Sequence, residues 1–552
     1  MRNRLLAVLT AGVLLLSGCA QIPSDSMVQT GTDIESSLPT DYTYYLPNPP
    51  VDGDGQSEIL NGFLNALTGP QNDYEVARQF LVGSLAGTWN PNQRLLIETA
   101  RPSIDYVGTN QAFVRVTYGA EIDALGKYKR LSTPKTERFT YSFAQEDGQW
   151  RIAEAPDVTV LVRPVFEVLF KSYNLYFYDR QNRYLVPDLR WFPNRQSTST
   201  RLISALLEGP SDWLSKAAYS TFPNGTRLAL DSVLVSNGTA VVDLNSTAAK
   251  ATADQLQHML AQVTSTLTQV SGIYSAVIRI EHVPQQISEL PYRLALNTNS
   301  TPYLLSQTGI GQLNGSTGLQ KINEAIKNQV VTDFAVNNQS TLVALLTLGG
   351  VAVLRNYGTG QRPTAIDTRP GLLRPAIDPQ GYIFTLGSGT NASLTAYDES
   401  GKKVMAVTDW LAGAEHESFA ISREGSRIAF VLRKAGTTHL MVATIIRDYE
   451  GKPIGLSAPF EIDTAPIVGS GINWSGENAL SIVTQTDGGV TTPTIVTIGG
   501  EFEVLTPLVN ARELVASASS ATRWAIDITG QIWQLRGYNW LKVQEGVSQL
   551  HF

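Results

Sequence analysis

From Phe334 onward one short pattern returns five times: "FAVNNQSTLVALLTL", "PAIDPQGYIFTLGS", "FAISREGSRIAFVL", "GINWSGENALSIVT" and "VASASSATRWAIDITGQIWQL". The copies begin at Phe334, Pro375, Phe419, Gly471 and Val515, so their starts lie 41, 44, 52 and 44 residues apart. Each reads as a short strand, a polar turn and a second strand. So small a sheet cannot bury its own apolar faces and must pack against its neighbours. Strand repeats of roughly 40–50 residues are the mark of radial blades. The spacing predicts an all-β propeller over 291–552, with five blades and room for a sixth or seventh near residues 290–330. An irregular β-sandwich is the alternative architecture.

Upstream the periodicity changes. In "SEILNGFLNALTGPQNDYEVARQFLV", residues Ile59, Phe63, Leu64 and Leu67 fall at helical spacing, Gly69-Pro70 stops that helix, and Tyr74, Ala77, Phe80 and Leu81 open another. Alternating segments follow, with Phe139, Tyr141 and Phe143 on one strand face and "EDGQW" as a turn into the next strand. These residues predict an α+β N-terminal domain over 41–164. "F…QEDGQWRI" resembles the last hairpin of nuclear-transport-factor-like domains, which implies a cone.

Over 165–290 the order is different. "VFEVLFKSYNLYFYDRQNRYLVPDLRWFP" alternates into a strand, turns at Asp179–Asn182 and returns. "STSTRLISALLEGP" predicts a helix from a Ser/Thr cap to Gly209-Pro210, with Leu202, Leu206 and Leu207 inward. Asn237-Gly238 predicts a two-residue hairpin turn. Leu256, Met259, Leu260, Val263, Leu267 and Val270 form one helical stripe, and "SAVIRIEH" closes the unit as a strand. "LYFYDRQNRYLVPDLR", "LISALLEGP", "FPNGTRLAL", "GTAVVDLN" and "LAQVTSTLTQVSGIYSAVIRIE", in that order, resemble the α+β GerMN module of spore-germination and related envelope proteins. That resemblance implies a binding or assembly role and brings no catalytic residues with it.

The N-terminus has three parts. Arg2 and Arg4 precede the uncharged run Leu5–Leu16, and Ser17-Gly18 precede Cys19, the one cysteine of the chain. This is the order of an export signal over residues 1–18. Its apolar core is far shorter than the roughly 20 residues that span a bilayer as a helix. "LSGC" resembles the lipobox of bacterial lipoproteins, with Leu16, Ser17 and Gly18 at the pattern positions. The resemblance implies that Cys19 becomes the first mature residue, as N-palmitoyl and S-diacylglycerol cysteine. Two chains hold a protein to a membrane far better than one. Residues 19–40 then read as the lipidated cysteine and a flexible tether, rich in Ser, Thr, Pro and Gly and without hydrophobic period.

Loss of the leader takes the formal charge from −7 to −9, because it removes two arginines and no acid. So acidic a chain lacks the basic face that nucleic acid requires. Catalytic signatures are missing as well. His258, His282, His416, His439 and His551 lack metal-ligand spacing, and no G-x-S-x-G elbow occurs. His258 reads as a solvated or capping residue of its helix. "GIGQLNG" (309–315) has one residue too many for a dinucleotide fingerprint and reads as a loop, and "DGDGQSE" (52–58) reads as a turn. The basic run Lys127, Lys129, Arg130, Lys135 and Arg138 reads as a solvated hairpin, with anionic headgroups as the functional alternative. No cofactor, metal or catalytic residue is expected. Paired carboxylates that converge only in space stay open.

Lipobox, tether, α+β domain, GerMN-like module and propeller, in that order, resemble the LpqB lipoproteins of actinobacteria. The resemblance implies a non-enzymatic accessory of a two-component system at the outer face of the cell membrane. Its expected partners are the membrane, through the lipid anchor, and the extracytoplasmic domain of an MtrB-like sensor histidine kinase, with cell-wall material as a further partner. The processes implied are cell-wall homeostasis and division. The rival readings are a wall-glycan or lipid binding protein and a hydrolase working in the propeller funnel.

Overall fold

The N-terminal domain is built on one five-stranded sheet in which the fourth strand lies at one edge and the fifth at the other. Its strands are β1 (Arg94–Val107), β2 (Gln111–Asp123), β3 (Tyr128–Glu146), β4 (Gln149–Glu154) and β5 (Thr159–Val162). β1 to β4 form an antiparallel meander, and β5 returns to pair in parallel with β1. Helix α1 (Gln56–Ala66) buries Ile59, Leu60 and Phe63, and the Phe63 ring meets Trp89 and Tyr141 edge-on at 5.2 and 6.1 Å. This computed structural model describes residues 47–552 except 196, 291–300, 314–319, 338–340, 356–360, 470, 487 and 518–521. Leu16, Ser17, Gly18, Cys19 and the tether to residue 40 lie outside the described residues.

Where the alternating pattern predicted a strand from Val165, the chain first makes a short helix, α2 (Arg163–Leu169). Pro164 sits in its first turn, where the missing N–H costs nothing, and Phe166 and Leu169 reach the core one turn apart. The strand proper is β6 (Phe170–Asp179), which pairs with β7 (Leu185–Pro193). Helix α3 (Thr198–Glu208) ends at Gly209, which has φ +96°. At the expected Ser/Thr cap, Ser197 makes no side-chain capping hydrogen bond, and Thr198 Oγ1 in the first turn accepts from Arg195 N and donates to the Pro193 carbonyl. Asn237 and Gly238 both have positive φ, as a type I′ turn requires, between Leu234–Ser236 and Thr239–Leu244. Helix α4 (Ala253–Leu267) opens with a reciprocal Thr252–Gln255 capping box and crosses over to Ser275–Ile280, which runs parallel to Thr239–Leu244. His258 is buried rather than solvated, with Nδ1 2.7 Å from the Asp254 carbonyl and its ring edge-on to Tyr178 at 4.8 Å.

The all-β remainder consists of six radial sheets among the described residues. Blades 1 to 5 occupy 331–367, 376–407, 415–462, 473–504 and 511–544. Four of them have four strands and blade 3 has five, because Thr437–Arg447 is long enough to pair with two outer strands in succession. Blade 6 has three strands and closes the ring. Tyr303–Ser306 pairs on one side with Gly309–Gln312 and on the other with Val547–His551. "GIGQ" is therefore a strand, contrary to its reading as a loop. The inner strands are Val331–Val336, Ala376–Ile377, Glu415–Ile421, Asn473–Trp474, Ala511–Ala516 and Val547–His551, each beside the next around the axis.

Candidate functional site

Six inner strands converging on one axis bring together residues that are remote in sequence. With six blades, blade 2 faces blade 5 across the axis and blade 1 faces blade 4. Arg374, at the entry to blade 2, reaches across to Glu513 of blade 5, Nη1 donating to Oε1 at 2.8 Å and Nη2 to Oε2 at 2.9 Å. The same guanidinium donates through Nε to Asp333 Oδ2 of blade 1 at 3.2 Å. Asn473 of blade 4 donates to Glu513 Oε1 at 2.8 Å, and His551 of blade 6 places Nε2 2.7 Å from Asp333 Oδ1. Five blades thus meet in one largely buried polar cluster on the axis.

Its electrostatics follow from two carboxylates facing one fixed guanidinium. Burial alone would push both acids up. The Arg374 charge outweighs it, and with hydrogen bonds from His551 and the Phe334 N–H it holds Asp333 well below the usual carboxylate range. Glu513, fully buried, is lowered in the same way by Arg374 and Asn473. The acids in turn hold Arg374 above its ordinary value against its own desolvation. Carboxylates locked ionised, with their lone pairs taken by donors, are poor proton donors near neutral pH. Among the described residues no group of three or more His, Cys, Asp or Glu is placed to hold a metal ion.

Beside the cluster the funnel opens into a cavity of about 150 Å³, with Arg374, Asn473 and His551 on its floor and Phe419, Arg423, Trp474 and Phe552 among its walls. Sequence reasoning missed all of these as site residues. His551 has no metal-ligand spacing in the sequence, yet four histidines stand beside an acid in the fold: His551 with Asp333, His282 with Asp243 at 2.6 Å, His439 with Glu461 at 2.7 Å and His258 with Asp254 at 3.5 Å. The basic hairpin is drawn partly into the body, where the Arg130 guanidinium lies 4.4 Å from the Phe502 ring centre in blade 4.

Blade 4 also carries several of the joints between the three parts. Glu501 accepts from the Tyr128 hydroxyl at 2.6 Å and from Arg163 Nη1 at 2.5 Å, and Trp191 Nε1 donates to the Gly499 carbonyl at 3.0 Å. Glu477 Oε2 accepts from Asn174 Nδ2 and from the Tyr176 hydroxyl, each at 2.8 Å. The Glu477–Asn478 turn is itself held by buried Arg427, which donates to Asn478 Oδ1 and the Glu477 carbonyl, each at 2.6 Å. Just past β7, Asn194 N donates to the Leu169 carbonyl at 2.8 Å, which ties the exit of that strand to the entry of the second domain.

Comparison with known proteins assigns a family to each part. Residues 49–167 match "Lipoprotein LpqB, N-terminal domain", residues 174–286 match "Sporulation and spore germination", and residues 311–550 match "Lipoprotein LpqB beta-propeller domain". Among whole proteins, Lipoprotein LpqB of Cutibacterium acnes is 24% identical over 528 residues, 90% of this chain and 88% of that protein. Lipoprotein LpqB of Streptomyces coelicolor is 24% identical over 613 residues, 99% of this chain and 97% of that protein. Of solved structures, TolB from Acinetobacter baumannii matches at 14% identity and a TM-score of 0.30, over 46% of this chain and 65% of that one.

Proposed function

The chain belongs to the LpqB lipoprotein family, and we propose that it is a lipid-anchored extracytoplasmic protein that modulates an MtrB-like sensor kinase by protein–protein contact. Cell-wall homeostasis and division are the processes it serves. Its anchor is Cys19, with Leu16, Ser17 and Gly18 directing the modification, and no helix among the described residues is long and apolar enough to cross a membrane. The observation that carries the non-enzymatic reading is the axial cluster. The acids that converge in the funnel, where a hydrolase would keep them, are bound by Arg374, Asn473 and His551 in a structural clip. Function then falls to surface loops on a rigid body. Confinement to the plane of the membrane raises the effective concentration of an anchored binder at its kinase without any new contact.

Crosslinking in intact cells, followed by identification of the captured protein, tests the partner. The sensor kinase should be recovered with the native protein and lost with Cys19→Ser, which should also leave the membrane fraction and take up no labelled fatty acid. An anchored, folded protein that captures no sensor kinase overturns the reading.

A further inference from the structure

Arg423 sits in the turn between the first two strands of blade 3, beside the axis. It reaches over the funnel, its guanidinium carbon 5.9 Å from the ring centre of Phe552, the residue that follows the inner strand of the opposite blade. Among the described residues its guanidinium makes one hydrogen bond, from Nη2 to the Trp474 carbonyl at 3.3 Å. No carboxylate among the described residues pairs with it. The neighbouring acid, Glu424, is taken by Arg427 at 2.7 Å and by Ser422. The other acid along the cavity, Asp378, is buried and taken by Arg447 at 2.6 Å. Burial without a counter-ion lowers Arg423 to about 10. Arg374, Arg427 and Arg447 nearby each have an acid; Arg423 has a carbonyl and a cavity.

We propose that the funnel mouth is a binding site for a single carboxylate carried on an apolar stem, with Arg423 as the anion contact and Phe419, Trp474 and Phe552 around the stem. A guanidinium presents paired N–H donors that match a carboxylate. A dianion is disfavoured because the clip below already sets two carboxylates against one guanidinium. The cavity of about 150 Å³ is well below the roughly 300–1,000 Å³ that encloses a drug-sized ligand, so it takes one side-chain-sized group. Two sources share that chemistry: a small free acid and an acidic side chain of a protein segment. The site is independent of the kinase contact, and its test uses no kinase, so failure here leaves that reading standing.

The test is a ligand-observed NMR titration of the full-length lipoprotein in nanodiscs. Three probes are used: 3-phenylpropionate, its neutral amide, and a blocked peptide with one glutamate between leucines. Saturable binding of the free acid assigns a small carboxylate, and binding of the peptide alone assigns a protein segment. In either case Arg423→Gln should weaken binding about tenfold or more, with Arg423→Lys retaining part of it. The amide comparison on the unaltered protein keeps the test decisive if a variant fails to fold. The proposal is overturned if neither acid binds, if the amide binds as tightly as its acid, or if folded Arg423→Gln binds unchanged.

Discussion

At the scale of single residues, Arg374 decides whether the axis holds. Its guanidinium is shared by Asp333 and Glu513, and breaking a buried pair leaves an uncompensated charge that costs about 3–5 kcal/mol. Arg374→Leu should lose that much in a denaturant unfolding experiment that follows the propeller transition. Glu513→Gln should lose less, because the amide oxygen still accepts from Arg374 and Asn473. Acid carries a second expectation. Both carboxylates are depressed in the folded state, so their contribution is complete above their ordinary values of 3.8 and 4.5. It is lost as pH falls below those values toward the folded ones. Thermal midpoints recorded from pH 7 downward should fall below about pH 4.5, with a shallower fall in Glu513→Gln. An equal slope in both proteins would remove Glu513 from the account. None of this was legible in the sequence. Arg374 lies 41 residues from Asp333 and 139 from Glu513, and His551 lies 218 from Asp333. Only closure of the ring makes them neighbours, and no spacing rule reaches that far.

Single elements were legible wherever their signal was local. The Asn237-Gly238 turn and the Leu256–Val270 stripe, helical as far as Leu267, depend on residues a few positions apart, and each blade copy is a local strand-turn-strand signal; all are present in the fold. What escaped depended on distant chain. Blade 6 takes two strands from 303–312 and its third from 547–551, so no continuous copy of the repeat exists to be seen. Helix α2 was hidden because Phe166 and Phe170 fit an alternating pattern as well as a helical one. Glycines test the blade turns directly. At Gly350, φ is +111° and a Cβ would stand 2.0 Å from the Asp367 carbonyl oxygen. At Gly436, φ is +83° and nothing lies within 4 Å. Gly436→Ala should cost the left-handed strain alone, about 1–2 kcal/mol. Gly350→Ala adds a backbone collision that cannot rotate away and should cost clearly more by equilibrium unfolding. Equal losses would mean that blade 1 shifts to accept the methyl.

For the molecule as a whole, the three parts are joined at turns of blade 4 and, through Gln181 to the Asp448 carbonyl and Trp213 on Phe460, at blade 3. Glu501 ties the N-terminal domain through Tyr128 and helix α2 through Arg163, while Glu477 and Asn478 hold the second domain through Asn174 and Tyr176. The Arg163 pair is partly exposed and screened, so by itself it adds little. Tyr128 is buried, and its hydroxyl is pushed well above the usual phenol range by desolvation and by Glu501, so it remains a donor at all working pH. A hydrogen bond from such a group to a carboxylate contributes about 1.5–3 kcal/mol. Glu501→Ala should therefore loosen one joint while leaving the blade folded. By hydrogen exchange, amides at the start of β3 and in α2 should open faster, and those of the blade 4 strand Ala479–Gln485 should keep their protection. Glu477→Ala should loosen β6 in the same way and spare β3, since the two joints use separate turns. If either variant accelerates exchange through all three parts at once, the body unfolds as one cooperative unit and the joints are not independent. If neither changes any amide, the packing of Arg130 on Phe502 and of Trp213 on Phe460, whose rings lie 4.9 Å apart, carries the docking instead of the two carboxylates.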